Sequence, residues 1–263
     1  MNLCIVELAY GDQTYHITEA DNKNHLQIRT TTPLWHKESC INLGVKYLLP
    51  SNWKAMAWID ADIEFENPNW VLDTLKILNG AKDVVQLFSH AVDMDKQENT
   101  MQIFTGFGYN YETKGKYFSI GKNFSHPGYS WAITRKAYEK IGGLFPWSII
   151  GSGDYQMTQA LIGNSKSINE GCSYGYKKKV EELVKRSRNL RVGYTPGVIL
   201  HYYHGSKENR KYNDRWKILV KYQYDPYVHM TFDKIGLIVP TPECPEELLK
   251  DIMNYFKERK EDD

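Results

Sequence analysis

The segment WIDAD carries two carboxylates, Asp60 and Asp62, two positions apart and directly after the apolar run KAMAWI. If the strand continues through them, residues i and i+2 point the same way and both side chains can share one divalent cation. Oxygen donors favour Mn²⁺ or Mg²⁺ over zinc, and such ions keep phosphate oxygens of a ligand in their shell. Two solvated Asp residues ahead of a helix near residue 67 would give the same letters. Late in the chain HYYHG supplies His201 and His204. Imidazole also ligates Mn²⁺. Alternation along a strand predicts the two rings on opposite faces, so one of them, His201 by a small margin, is expected to complete the site while the other packs elsewhere. Gly205 permits close backbone approach, and Lys207 and Arg210 could neutralise a diphosphate.

A third constellation is GGLFPWSIIGSGDYQM. Asp154 follows Gly151, Ser152 and Gly153 and opens a helix. It reads either as an N-cap or as a general base held in a glycine-shaped pocket. Trp131 and Trp147 could offer apolar faces to a sugar ring. KKKVEELVKRSRNLR holds seven basic and two acidic residues. It reads as a solvated helix face, with an anionic acceptor or a lipid phosphate as the sharper alternative.

The elements that must position these groups alternate between strand and helix through the first 90 residues. LCIVELA (residues 3–9), LQIR (26–29), KAMAWID and DVVQLFS read as strands. The helix after Thr32 is expected to begin at Pro33 and run to Pro50, and NPNWVLDTLKILNG to form another that ends at Gly80. This alternation predicts an α/β sheet with parallel strands. A polar middle with a weak hairpin section follows. Helices are then expected over RKAYEKIGG, from GSGDYQM, over the basic run, over ENRKYNDRWKILVKY and in the tail, with GVILHYYHG as a late strand.

Composition narrows the class. With 33 Lys and Arg against 32 Asp and Glu the net charge is +1, so no global field recruits nucleic acid. No apolar run approaches the ~20 residues of a transmembrane span. MNLCIVELAYG has no basic start and carries Glu7, so it reads as a strand and not a secretion signal. Cys4, Cys40, Cys172 and Cys244 are scattered, as in a cytoplasmic protein with reduced thiols.

Taken in order, WHKESCINLGVKYL, WIDAD, HPGYSWAITRKAYEKIGGLFPWSIIGSGDYQM and ILHYYHGSKENRKYNDRW resemble the metal-dependent glycosyltransferases of GT-A fold. The likeness is to family 2-type enzymes and, more distantly, to β-1,4-galactosyltransferases. It runs over nearly the whole chain, from about residue 3 to the tail. It implies a single domain over 1–263, a Rossmann-like mixed sheet flanked by helices. Residues 1–90 would be the nucleotide-sugar and metal half, 91–220 the acceptor and catalytic half, and 221–263 a C-terminal extension. On the resemblance, Asp60, Asp62 and one of His201 and His204 hold Mn²⁺ or Mg²⁺. Lys37, Glu38, Trp58, Ala61, Gly205, Lys207 and Arg210 face the donor. Asp154 is the catalytic base, and Trp131, Trp147, Gly151, Ser152 and Gly153 face the acceptor. The implied reaction is inverting transfer of a hexose from a nucleotide-diphosphate sugar, a UDP-sugar foremost, to an acceptor hydroxyl of a carbohydrate or glycan. The sequence departs from the family at its start, where LCIVELAYGD resembles the second strand and a first βα unit is expected but missing. A partner chain or oligomer would then cover the sheet edge. Two other classes fit the same residues: an inactive nucleotide-sugar or glycan-binding homologue, and a metal-dependent phosphoesterase or nucleotidyltransferase.

Overall fold

The β-branched and aromatic runs form strands where the pattern places them, but the strands do not pair in chain order. A computed structural model describes residues 1–114, 125–205, 209 and 215–259. It is an α/β protein with mixed parallel and antiparallel sheets flanked by helices. The chain divides into two units, Met1–Ser51 with Gly143–Lys185 and Gly205–Asp263, and Asn52–Gly142 with Arg186–His204.

In the first unit, β1 (Ile5–Tyr10) and β2 (His25–Thr30) pair in parallel, Ile5 opposite His25. Parallel neighbours need a crossover, here a loop organised by Glu7. Its carboxylate accepts from the amides of His16, Ile17 and Thr18 and from the Thr18 hydroxyl. The Thr18 hydroxyl and these amides outweigh desolvation and hold the Glu7 carboxyl down at about 2. Helix α1 (Lys37–Tyr47) begins four residues later than Pro33; in the stretch before it Leu34 gives its amide to the Thr32 carbonyl and Trp35 to the Ile149 carbonyl. Gly44 of α1 lies against Val6, where a Cβ would come within 2.9 Å of the valine methyl.

The rest of this unit is helical apart from one hairpin. α5 (Gly153–Leu161), α6 (Tyr174–Ser187, its last two residues in the other unit), α7 (Trp216–Lys221), α8 (Pro226–His229) and α9 (Glu246–Glu258) accompany β12 (Met230–Phe232) and β13 (Ile238–Pro240). α9 buries Leu248, Ile252 and Tyr255, the i, i+4, i+7 face of an amphipathic helix. They join a core that includes Leu34, Ile149, Ile150, Tyr176 and Val180.

The second unit holds two sheets. In the first, order β10-β5-β9-β3, β3 (Ala55–Ile59) and β5 (Val84–Gln86) both run antiparallel to β9 (Ser130–Thr134), and β10 (Val192–Tyr194) is parallel to β5. Among the described residues, the strands of the first 90 that pair with one another in parallel are β1 and β2; β5 finds its parallel partner in the much later β10. β9, from much later in the chain, separates β3 from β5. The second sheet has the order β4-β11-β6-β7-β8: β4 (Ile63–Phe65), β11 (Val198–His201), β6 (His90–Met94), β7 (Thr100–Gly106) and β8 (Ser125–His126). β6 and β7 form the hairpin that the polar middle hinted at.

α2 (Trp70–Leu78), α3 (Phe107–Lys114) and α4 (Arg135–Ile141) complete the unit. α4 shows why its sequence is helical between fixed ends. The Thr134 hydroxyl accepts from the Ala137 amide, and Gly142, left-handed at φ 81°, returns its N–H to the Tyr138 and Glu139 carbonyls.

Of the remaining sequence expectations, Lys207, Arg210 and most of ENRKYND lie outside the described residues. The four cysteines are free thiols, Cys172 and Cys244 buried. Among the described residues no helix is long and apolar enough to cross a membrane.

Candidate metal centre

The centre is built where three strands of the second sheet end or begin. β4 runs antiparallel to β11 with Ile63 opposite His201, so Asp62 stands one step beyond the pair, and its carbonyl accepts from the Tyr202 amide at 2.9 Å. On the other side β6 is parallel to β11, with Asp93 in register with His201. The β6–β7 register shifts between Asp93 and Met94, an irregularity of the kind that re-aims side chains beside sites.

This register brings one carboxylate and two imidazoles together. His204 Nε2 lies 2.9 Å from Asp62 Oδ2, His201 Nε2 lies 3.6 Å from the same oxygen, and the two Nε2 atoms are 3.1 Å apart. Two donors each ~2.1 Å from one ion and at right angles stand about 3.0 Å apart. The three edges thus suit ligands of a single divalent cation. Asp62 Oδ1 supports this: it is buried and has no hydrogen-bond partner among the described residues. An orphaned carboxylate oxygen is costly unless a cation accepts it. Asp62, His201 and His204 therefore form a possible metal site, with ligand atoms within 4.8 Å of one another.

Burial would raise the Asp62 carboxyl, but hydrogen bonds from His201 and His204 outweigh it and hold Asp62 well below the usual carboxylate range. His201 moves the other way. Desolvation pulls it down, and the hydrogen bonds to Asp62 and Asp93 overcome this and push it up to about 9.

Behind the ligands lies a second layer that the sequence pattern did not reveal. Asp93, 1 % exposed, accepts from His201 Nδ1 at 2.8 Å and from the Tyr129 hydroxyl at 2.7 Å, both on Oδ1. The Tyr129 ring lies 4.5 Å from the His201 ring, and the His126 ring stacks on Tyr129 at 3.8 Å and 6°. Tyr129 sits in the left-handed region at φ 74°. That conformation costs an aromatic residue on the order of 1–3 kcal/mol unless its surroundings over-determine it.

Two expectations for this centre are corrected. The strand-alternation argument for Asp60 and Asp62 fails because β3 ends at Ile59 and the chain turns at residues 61 and 62. Among the described residues, it is Asp62 that forms the possible ligand group with the two histidines. Asp60 gives its amide to the Tyr129 carbonyl at 2.9 Å and is not in the ligand group. The opposite-face argument for the histidines fails for the same kind of reason. β11 ends at His201, so His204 lies beyond the strand and its ring turns back to Asp62.

Of the donor-side residues, Trp58 is buried in β3 and Ala61 is exposed at the turn. Trp131 is 0 % exposed, its Nε1–H bonded to the Pro127 carbonyl, so its ring faces lie in the core and not on a surface. Gly205, in the first unit, has a left-handed φ of 96°.

Lys37, Glu38 and the GSGD turn, which the sequence could only list side by side, come together in the first unit. Lys37 Nζ is 3.7 Å from Asp154 Oδ2, and both are about a quarter exposed. Asp154 is the second residue of α5, and Ser152, left-handed at φ 77°, holds the cap position. The N-cap reading of Asp154 is thereby removed. Gly153 is required by close approach: a Cβ there would overlap the buried Glu38 carboxylate. Gly151, at φ 89°, faces Arg215, whose guanidinium donates to the Ser152 hydroxyl and the Ile150 carbonyl. Trp147 is half-buried against the core, with Lys179 Nζ 4.7 Å from its ring centre and Phe232 edge-on.

Neither a protein-family model nor a curated protein matches the chain.

Proposed function

We propose that the chain is a metal-dependent glycosyltransferase of GT-A type that moves a hexose from a nucleotide-diphosphate sugar, a UDP-sugar foremost, to an acceptor hydroxyl with inversion. The observation that carries the reading is the convergence of Asp62, from the DxD stretch, with His201 and His204 from the late strand. The α/β architecture with mixed sheets is compatible with it. A bound Mn²⁺ or Mg²⁺ would screen the diphosphate and stabilise it as a leaving group. Asp62 and the two imidazoles would hold that cation. Asp154 takes the acceptor proton as the hydroxyl attacks the anomeric carbon. Lys37 Nζ, 3.7 Å from its Oδ2, stands beside it.

The donor set itself favours a second reading. Two imidazoles and one carboxylate are also a common zinc set for hydrolysis, so a metal-dependent phosphoesterase uses the same three residues. One assay separates the two. The protein is incubated with Mn²⁺ and a panel of nucleotide sugars, with and without glycan acceptors, and the products are identified. A transferase releases the nucleoside diphosphate and the free or transferred sugar. A phosphoesterase cleaves within the diphosphate and leaves sugar phosphate. The second product pattern, or no turnover of any donor, would remove the transferase reading.

A further inference from the structure

The metal-centre part of the proposed function leaves three features unexplained. Asp93 is a carboxylate next to the end of β6, buried to 1 % exposure. Tyr129 adopts a backbone conformation that bulky residues avoid. The Tyr129 hydroxyl and His201 Nδ1 meet on the same carboxylate oxygen. Each is what the centre would need if His201 has to be held in one tautomer and one orientation.

We propose that Asp93 and Tyr129 are positioning residues for the metal centre: Asp93 accepts the Nδ1 proton of His201 and leaves the Nε2 lone pair directed at the ion, while Tyr129 locks Asp93 and the imidazole plane. A neutral imidazole offers one N–H and one lone pair, and which nitrogen carries the proton is set by the partner of the other. An ionised carboxylate only accepts, so at 2.8 Å from Nδ1 it fixes the proton there and frees Nε2 for a cation. Nε2 is the atom 3.6 Å from Asp62 and 3.1 Å from His204 Nε2. The Tyr129 hydroxyl, 2.7 Å from the same Asp93 oxygen, holds that oxygen in place while its ring covers His201 at 4.5 Å. Register supplies the rest, since Asp93 and His201 are paired across β6 and β11.

This inference rests on the triad as a metal centre and not on which reaction it serves. The test is Co²⁺ binding, read by visible absorption and calorimetry, on the wild-type chain, Asp93→Asn and Tyr129→Phe. Asn can turn its amide toward Nδ1 and drive the imidazole proton to Nε2, so Asp93→Asn should lower Co²⁺ affinity about 10–100-fold and weaken the ligand-field bands. Tyr129→Phe keeps the ring and its volume and loses only the hydroxyl. It should give a smaller loss with a shifted spectrum, and it serves if Asp93→Asn does not fold. In the zinc-loaded wild type, the His201 Nδ1–H proton signal should appear in the NMR spectrum, and Asp93→Asn should abolish it. Wild-type affinity and spectrum in both variants, even with lowered melting temperatures, would make the pair merely structural and overturn the proposal. Wild-type protein that takes up no Co²⁺ would overturn the centre and this inference together. Co²⁺ uptake without sugar transfer would overturn the proposed reaction alone.

Discussion

Loading the centre must displace a proton, and this makes metal affinity depend on pH in a defined direction. His201 is pushed up to about 9 in the metal-free protein by Asp62 and Asp93, against the pull of burial. At neutral pH it is therefore an imidazolium and cannot ligate. Below pH ~9 each unit of acidification multiplies the competing proton by ten, so this residue alone should weaken apparent affinity about tenfold per unit. From pH ~8 to pH ~6 the loss is on the order of a hundredfold. Asp62, held far below the carboxylate range, stays ionised throughout and adds nothing to the slope. The assay is calorimetric Mn²⁺ titration at several pH values, in two buffers of different ionisation enthalpy, so that the buffer dependence counts released protons. About one proton per ion is expected at pH 7. The sign for stability is opposite in the metal-free chain. A folded pKa raised above the unfolded ~6.5 stabilises fully below that value and is lost as pH rises through about 9. The metal-free protein should thus lose this contribution on going alkaline while the Mn²⁺ complex tightens. A pH-independent affinity with no proton release would refute the arrangement of His201 between two carboxylates.

The other expectations are simpler. Asp62→Asn and His204→Ala should each remove most Mn²⁺ binding, since each deletes one of three donors, with thermal melting showing that the fold persists. Asp154→Asn should leave Mn²⁺ uptake intact and lower sugar transfer roughly 10²–10⁴-fold, the usual worth of a general base; full activity would remove Asp154 from the mechanism. Gly153→Ala forces a methyl into the Glu38 carboxylate and should lower stability by about 1–3 kcal/mol by denaturant unfolding. Adding Glu38→Ala should recover part of that loss, and simple additivity of the two would count against the contact.

How much of this was legible in the sequence depended on whether the signal was local. The cap–helix–Gly pattern of TRKAYEKIGG needs only its own residues, and it gives Arg135–Ile141 with Thr134 and Gly142 as its ends. The same logic at Thr32–Pro33 misplaced the start of α1: the Thr32 carbonyl accepts from the Leu34 amide in a tight turn, and Trp35 reaches across to the Ile149 carbonyl. At the centre, the residue types in WIDAD and HYYHG were informative and the periodicity was not. Both stretches lie where a strand stops, so alternation gave the wrong partner for Asp62 and the wrong face for His204. Asp93 was hidden in the polar run HAVDMD, which looks like a loop. Ala91 and Asp93 share one face of β6 and are both buried, and a strand reading of that run would have exposed the carboxylate as an anomaly. Tyr129 left no such trace, since a left-handed φ at a tyrosine follows from tertiary packing.

On the proposed function, a cation held by Asp62, His201 and His204 binds the diphosphate of a sugar nucleotide. The most direct measurement is calorimetry of UDP against the protein with Mn²⁺ and with EDTA, on wild type and on Asp62→Asn. A divalent ion takes phosphate oxygens into its shell, whereas without it the Asp62 carboxylate is engaged by His201 and His204 and offers a phosphate no cation to coordinate. Wild type with Mn²⁺ should therefore bind UDP, and both the EDTA sample and the variant should bind it far more weakly. Equal UDP affinity in Mn²⁺ and EDTA, or no UDP binding with the metal loaded, would contradict the account.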